Sequence, residues 1–304
     1  MLKHFPFSKT FDLKMGTTTL PADAPFIEVD EKYLPEVELK RKLLSEDHGY
    51  YYQSLGGDEQ AQWEVLDLVL HQLGSHYPEA FSLEKHDHFW SFRNQKLNEE
   101  YDFIWGDSGS LPQGPLDWVG RQVQEDLLIL NEKGELISGQ LCFPSGWSLG
   151  EKLGKHFMSI HEPLPDRLTP MIEAAGKLME RIPQGRSIQR TNWGFRISDE
   201  LDMSTRHGAR YREMLKPTET WSEKDVAENV FVRIEYQTLH RLPSRMVLFT
   251  IHTHLSPIAE EVKDPARAGR MFEFLATVPL DVRNYKLITP YHAKLGQYLK
   301  NSME

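Results

Sequence analysis

The sequence predicts an α+β fold: an antiparallel sheet core flanked by N- and C-terminal helices. Segments of strand character cluster between residues 116 and 256, and helical periodicity dominates residues 1–115 and 257–304. The two longest strand-like runs are neighbours joined by a short loop, so they pair antiparallel and do not alternate with helices as a parallel sheet requires. The 304 residues, 39% hydrophobic and 26% charged, suit a globular chain of one large domain or two small ones. The three regions are expected to form one structural unit.

In the first region, residues 58–73 carry Trp63, Leu66, Val69, Leu70 and Leu73 at the 3.6-residue period, with Gly74 where a helix would stop. Residues 106–115, rich in Gly, Pro and Ser, read as a loop. In the second region, residues 123–130 (VQEDLLIL) and 135–143 (ELISGQLCF) read as strands joined by the tight connection NEKG at 131–134. A short helical stretch follows at 153–166. Thr169 and Pro170 then read as N-cap and first position of a helix whose Met171, Ala175, Leu178 and Ile182 share a face. The runs VFVRIEYQTL and MVLFTIHTHL, joined by HRLPSR with Pro243, read as a β-hairpin. In the third region, PARAGRMFEFL and PYHAKLGQYL read as helices. The order strand, tight turn, strand, short helices, longer helix, strand, hairpin resembles that of a PAS domain, so the predicted core is PAS-like.

A net charge of −10 argues against a nucleic-acid or anionic-membrane partner, both of which attract basic surfaces. It is compatible with a cationic substrate or a basic protein partner. The single cysteine, Cys142, excludes an internal disulfide and a thiolate zinc site. With no apolar run of spanning length and no signal-peptide pattern at the N-terminus, the expected location is the cytoplasm.

Six segments in order then carry a more specific pattern: QEDLLIL and LCFPSGW; EKLGKHFMSIHEPLP at 151–165; RTNWGF at 190–195; RIEYQTLHRLP at 233–243; and VLFTIHTHL at 247–255. Together they resemble the haem-dependent oxidative N-demethylase family. The resemblance implies a PAS-like domain holding haem b, and an oxygenase that uses O2 and NADPH-derived electrons, delivered by partner flavin and iron–sulfur proteins, to demethylate a small secondary amine such as dimethylamine with release of formaldehyde. The alternative is a PAS-like protein that binds haem or a small ligand without turnover.

Without a C-x-x-C-H motif, haem would be held non-covalently. Within the I-H-x-P segment, His161 is the expected axial ligand to the haem iron, because the Pro163-Leu164-Pro165 turn that follows would fix its imidazole. His156 and Cys142 are competitors, although a buried cysteine more often acts as a small hydrophobe. On the strand VFVRIEYQTL, Val232, Ile234 and Tyr236 point one way and Arg233, Glu235 and Gln237 the other. A polar row like this is usually a solvated face. The family pattern, which also covers Gln237, Thr238, Arg241 and Pro243, favours a cavity lining instead, with Arg233 meeting a haem propionate and Glu235 holding a protonated amine. Arg190, in RTNWGF, is expected to contact a propionate or to cap a strand edge. Trp147 and Trp193 read as core aromatics.

The chain departs from the family where many relatives read R-x-E-R-Q-T-L and F-T-I-R-T-Y, having Tyr236, His252 and His254 instead, which puts haem seating in question. His252 and His254, two apart on a strand, share a face and could meet one metal. With a carboxylate such as Glu235 they would imitate a facial triad. His86 and His88 have the same spacing, and most such pairs are surface residues.

Overall fold

The computed structural model describes residues 1–12, 16–160 and 165–303. A seven-stranded antiparallel sheet runs through the middle, built from β1 (Thr18–Thr19), β2 (Tyr52–Ser54), β6 (Asp126–Leu130), β7 (Leu136–Gln140), β8 (Ser187–Arg196), β9 (Phe231–Arg241) and β10 (Val247–Pro257), in the order β1-β8-β9-β10-β6-β7-β2. Helices flank it at both ends of the chain, so the α+β expectation holds. The predicted hairpin is β9–β10, with eleven residues in each strand and a one-to-one register from Val247↔Arg241 to Pro257↔Phe231.

The β6–β7 connection is set by Asn131, whose Oδ1 accepts from the backbone N–H groups of Lys133 and Glu135, and by Gly134 at φ 77, in the left-handed region. The helix Glu59–His76 runs past Gly74, because Leu73 and its apolar neighbours are buried and tertiary packing outweighs the cost of one glycine. The helix Thr169–Arg181 begins at Thr169 itself, with Leu168 as its N-cap.

The first region is less helical than its sequence suggests. It also holds a three-stranded sheet of β3 (Phe81–His86), β4 (Phe89–Asn94) and β5 (Glu99–Ile104). Phe81, Trp90, Phe92 and Phe103 alternate with polar residues and enter the main core beside Trp63, Leu66 and Trp118.

The two faces of the large sheet serve different purposes. On one, Leu127, Ile129 and Leu248 pack against the N-terminal helices and the small sheet. On the same face, Val232 and Ile234 pack against the C-terminal helices Pro265–Thr277 and His292–Asn301 through Met271, Phe274, Leu275 and Leu295. The other face is capped by the helix Thr169–Arg181, whose Met179 meets Leu130 and Val247. Among the described residues, no helix is long and apolar enough to cross a membrane.

Candidate functional site

Between that second face and its helix lies a cavity of about 1290 Å³. Ligand pockets for small molecules commonly enclose about 300–1,000 Å³, so this one has room for a large ligand and a small one together. The sheet contributes Leu128, Leu130, Leu239, Phe249 and Ile251, and the helix contributes Met171, Ile172, Ala175, Leu178 and Met179. The sheet side follows from register. Gln237↔Ile251, Leu239↔Phe249 and Phe249↔Leu128 are direct cross-strand partners, and such partners project to the same face.

At the β8 end the lining turns polar. Asn192 faces Glu235, and Arg190 faces Gln237, across the β8–β9 ladder. Glu235 Oε2 accepts from Asn192 Nδ2 and from Gln237 Nε2, each at 3.1 Å. Burial alone would raise the Glu235 carboxyl. The Arg233 guanidinium, the Asn192 hydrogen bond and the charges of Lys286 and Arg196 outweigh it and hold the group below its ordinary value. The cavity therefore contains a fixed anion at neutral pH.

Arg233 is fully buried behind Glu235. Its Nη atoms donate to the carbonyls of Leu201, Phe143 and Pro144 and to Thr253 Oγ1, and its Nε sits 3.6 Å from Glu235 Oε1. Burial pulls it down to about 10, so it stays charged. Its donors are turned towards backbone carbonyls, and it does not line the cavity. Arg190 does line it. Its Nε is buried without a hydrogen-bond partner among the described residues, and burial lowers its pKa. A half-buried guanidinium whose Nε is unpaired offers a seat for an anionic ligand.

Lys286, in the third region, is not among the candidate site residues named from the sequence. Its Nζ donates to Trp193 O at 2.6 Å and Asn192 Oδ1 at 3.2 Å. Burial, with help from Arg196 and Arg190 and against Glu235, pulls it down to about 7. Arg196 is tied to Ser145 Oγ and to the carbonyls of Phe195 and Lys286. No local motif marks Lys286, because only packing of the segment after the helix Leu280–Tyr285 against β8 brings it here.

His161 lies outside the described residues. Ile160 and Leu168, on either side of it, both line the cavity. His156 is exposed, forms a backbone bridge with Glu135, and is not itself among the residues that line the cavity. Cys142 is buried beside Leu44, Tyr51 and Phe143, outside the cavity, and burial pushes its thiol well up. Trp147 and Trp193 do double duty: both touch the cavity, and Trp193 also packs edge-on against Phe274 at 4.8 Å.

Tyr236, His252 and His254 sit on the opposite face of the sheet, so their departure from the family pattern leaves the cavity lining untouched. Strand alternation also separates the two histidines from Glu235, whose register partner is Thr253. The facial triad imagined with Glu235 is therefore not formed. His86 and His88 are exposed at the β3–β4 turn.

The lining suits a haem: an apolar slot between sheet and helix, a guanidinium with an unpaired Nε for a propionate, and volume to spare for a small substrate. The model of the family described as haem-dependent oxidative N-demethylase, alpha subunit-like, matches residues 18–295.

Proposed function

Starting from the fact that this chain belongs to the haem-dependent oxidative N-demethylase, alpha subunit-like family, we propose that it is the haem-bearing monooxygenase subunit that demethylates a small secondary amine, of which dimethylamine is the simplest. The reaction consumes one amine, one O2, one NADPH and one proton, and releases the primary amine, formaldehyde, water and NADP+. The electrons arrive through partner flavin and iron–sulfur proteins, and the setting is the cytoplasm. The five central strands, ordered β8-β9-β10-β6-β7, form the PAS-like core of this reading.

One observation carries it: an ionised carboxylate, Glu235, held at the polar end of a large, mostly apolar cavity. A dialkylammonium ion needs an anion and two donor-free apolar walls, and this cavity supplies both. Glu235 orients the amine through N–H donation to its carboxylate, while Asn192 and Gln237 keep the carboxylate from rotating. Arg233 positions Glu235 from behind. In this reading the slot under the helix Thr169–Arg181 would hold haem b, with Arg190 meeting a propionate and His161 ligating the iron. Bound haem supplies O2 activation and oxidation of the C–H bond beside nitrogen. The apolar wall excludes water, and the hydroxylated substrate then breaks its C–N bond to give amine and formaldehyde.

The test is a spectrum followed by an assay. The purified chain should show a Soret band that is lost in His161→Ala and weakened in Arg190→Gln. With a reconstituted reductase, NADPH oxidation should depend on the amine. Glu235→Gln should keep the Soret band and raise KM about ten-fold or more, the worth of one charged hydrogen bond. Haem-loaded protein that turns over no amine would leave the non-catalytic binding reading in its place.

A further inference from the structure

The face of the sheet turned away from the cavity carries a second polar centre, where the N-terminal segment crosses β10. His252 and His254 stack there, ring centroids 4.0 Å apart. One nitrogen of each is tied to a buried carboxylate: His252 Nδ1 to Glu125 Oε1 at 3.0 Å, and His254 Nε2 to Glu28 Oε2 at 3.2 Å. The other nitrogens face two further carboxylates without bonding them. His252 Nε2 is 3.8 Å from Glu36 Oε2, and His254 Nδ1 is 3.8 Å from Asp30 Oδ2. Ligand atoms of Asp30, His252 and His254 all lie within 4.8 Å of one another.

Two orphans point to something missing. Among the described residues, fully buried His252 has no hydrogen-bond partner for its Nε2, and fully buried Glu125 has none for its Oε2. Glu36, also buried, has a neutral hydrogen-bond donor, Gln124 Nε2, at 2.7 Å. Buried charges are ordinarily paired or bound to metal. Separations of 3.8 Å are too long for hydrogen bonds but approach the roughly 3.4 Å between ligands of a tetrahedral ion with bonds of about 2.0–2.2 Å. An imidazole with one nitrogen on a carboxylate and the other free is the arrangement of metal-ligating histidines, the carboxylate fixing tautomer and orientation.

We propose that this centre binds one divalent first-row metal ion of the zinc class through His252 Nε2, His254 Nδ1 and Asp30, with Glu36 within reach as a fourth ligand. Imidazole and carboxylate donors suit such an ion. Glu125 and Glu28 orient the two histidines. Asp30 is half-buried and gives the ion a way in from solvent. The ion would clamp residues 28–36 to β10, and it is independent of whatever occupies the cavity.

The chain, stripped with a chelator and dialysed against Zn2+, should retain close to one zinc per chain by elemental analysis and gain thermal stability with added zinc. His252→Gln, His254→Gln and Asp30→Asn should each weaken zinc binding at least ten-fold, and His86→Gln/His88→Gln should leave it unchanged. Asp30→Asn alters a half-buried side chain and decides the matter if the histidine variants do not fold. Folded wild-type protein that takes up no zinc at micromolar metal, or uptake that survives Asp30→Asn at full affinity, would overturn the proposal. So would uptake lost in the His86/His88 variant.

Discussion

Arg233 and Glu235, two residues apart on β9, point to the same face of the sheet and meet behind the cavity, Arg233 Nε lying 3.6 Å from Glu235 Oε1 with both groups buried. The pair divides its work. The arginine spends its remaining donors on the carbonyls of Leu201, Phe143 and Pro144, and the glutamate turns its other oxygen to Asn192 and Gln237.

Arg233→Met should therefore be costly. It strips three carbonyls of a donor and leaves a buried carboxylate without its cation, a change worth about 3–5 kcal/mol. The midpoint of urea unfolding should fall at unchanged m-value. A loss under about 1 kcal/mol would mean that the pair does not hold the site.

Lys286 couples anion binding to protons. Burial holds it at about 7, so at pH 8 it is mostly neutral. An anion placed beside it raises its pKa and makes the protein take up a proton. Binding heats of an anionic cavity ligand at pH 8, measured in buffers of different ionisation enthalpy, should show that uptake, and Lys286→Met should abolish it.

His240 sets part of the acid response of the fold. Its ring lies 4.0 Å from Phe26, between the hydroxyls of Ser187 and Thr238, and burial pushes it down to about 3 from an ordinary 6.5. Between those values the unfolded chain binds a proton that the folded one refuses. Stability is thus full above pH 6.5 and falls as pH drops towards 3, by about 1.4 kcal/mol per pH unit at most. His240→Asn should flatten that slope by up to one proton. Parallel profiles for the two proteins would refute the assignment.

Gly139 is required by its neighbour across the β6–β7 ladder. A Cβ there would run into Leu128 Cδ2, whose side chain lines the cavity, and would also crowd Leu127 O at 3.2 Å. Gly139→Ala should cost about 1–3 kcal/mol. It should also push Leu128 inward, so haem retained per chain should fall along with the melting temperature.

Features that rest on local periodicity were legible in the residues alone. The β9–β10 hairpin shows as two alternating runs around HRLPSR, and the helix over the cavity shows as apolar positions from Met171 to Leu178. The polar row of β9 could be seen, with Glu235 and Gln237 on one side and Tyr236 on the other. The three-stranded sheet carries the same period-two signal in Phe81, Trp90 and Phe92, but its short strands, mixed with charged residues, stand out less than the helices around them.

The sequence by itself determined which segments become strands and helices and which side chains share a face, because neighbours along the chain fix those through backbone geometry. It did not determine which face of the sheet closes over a cavity, nor that Lys286 reaches Asn192, nor that Glu28 meets His254 across 226 residues of chain. Those meetings depend on how distant segments pack once formed, and no local pattern of residues encodes the position of a partner so far away.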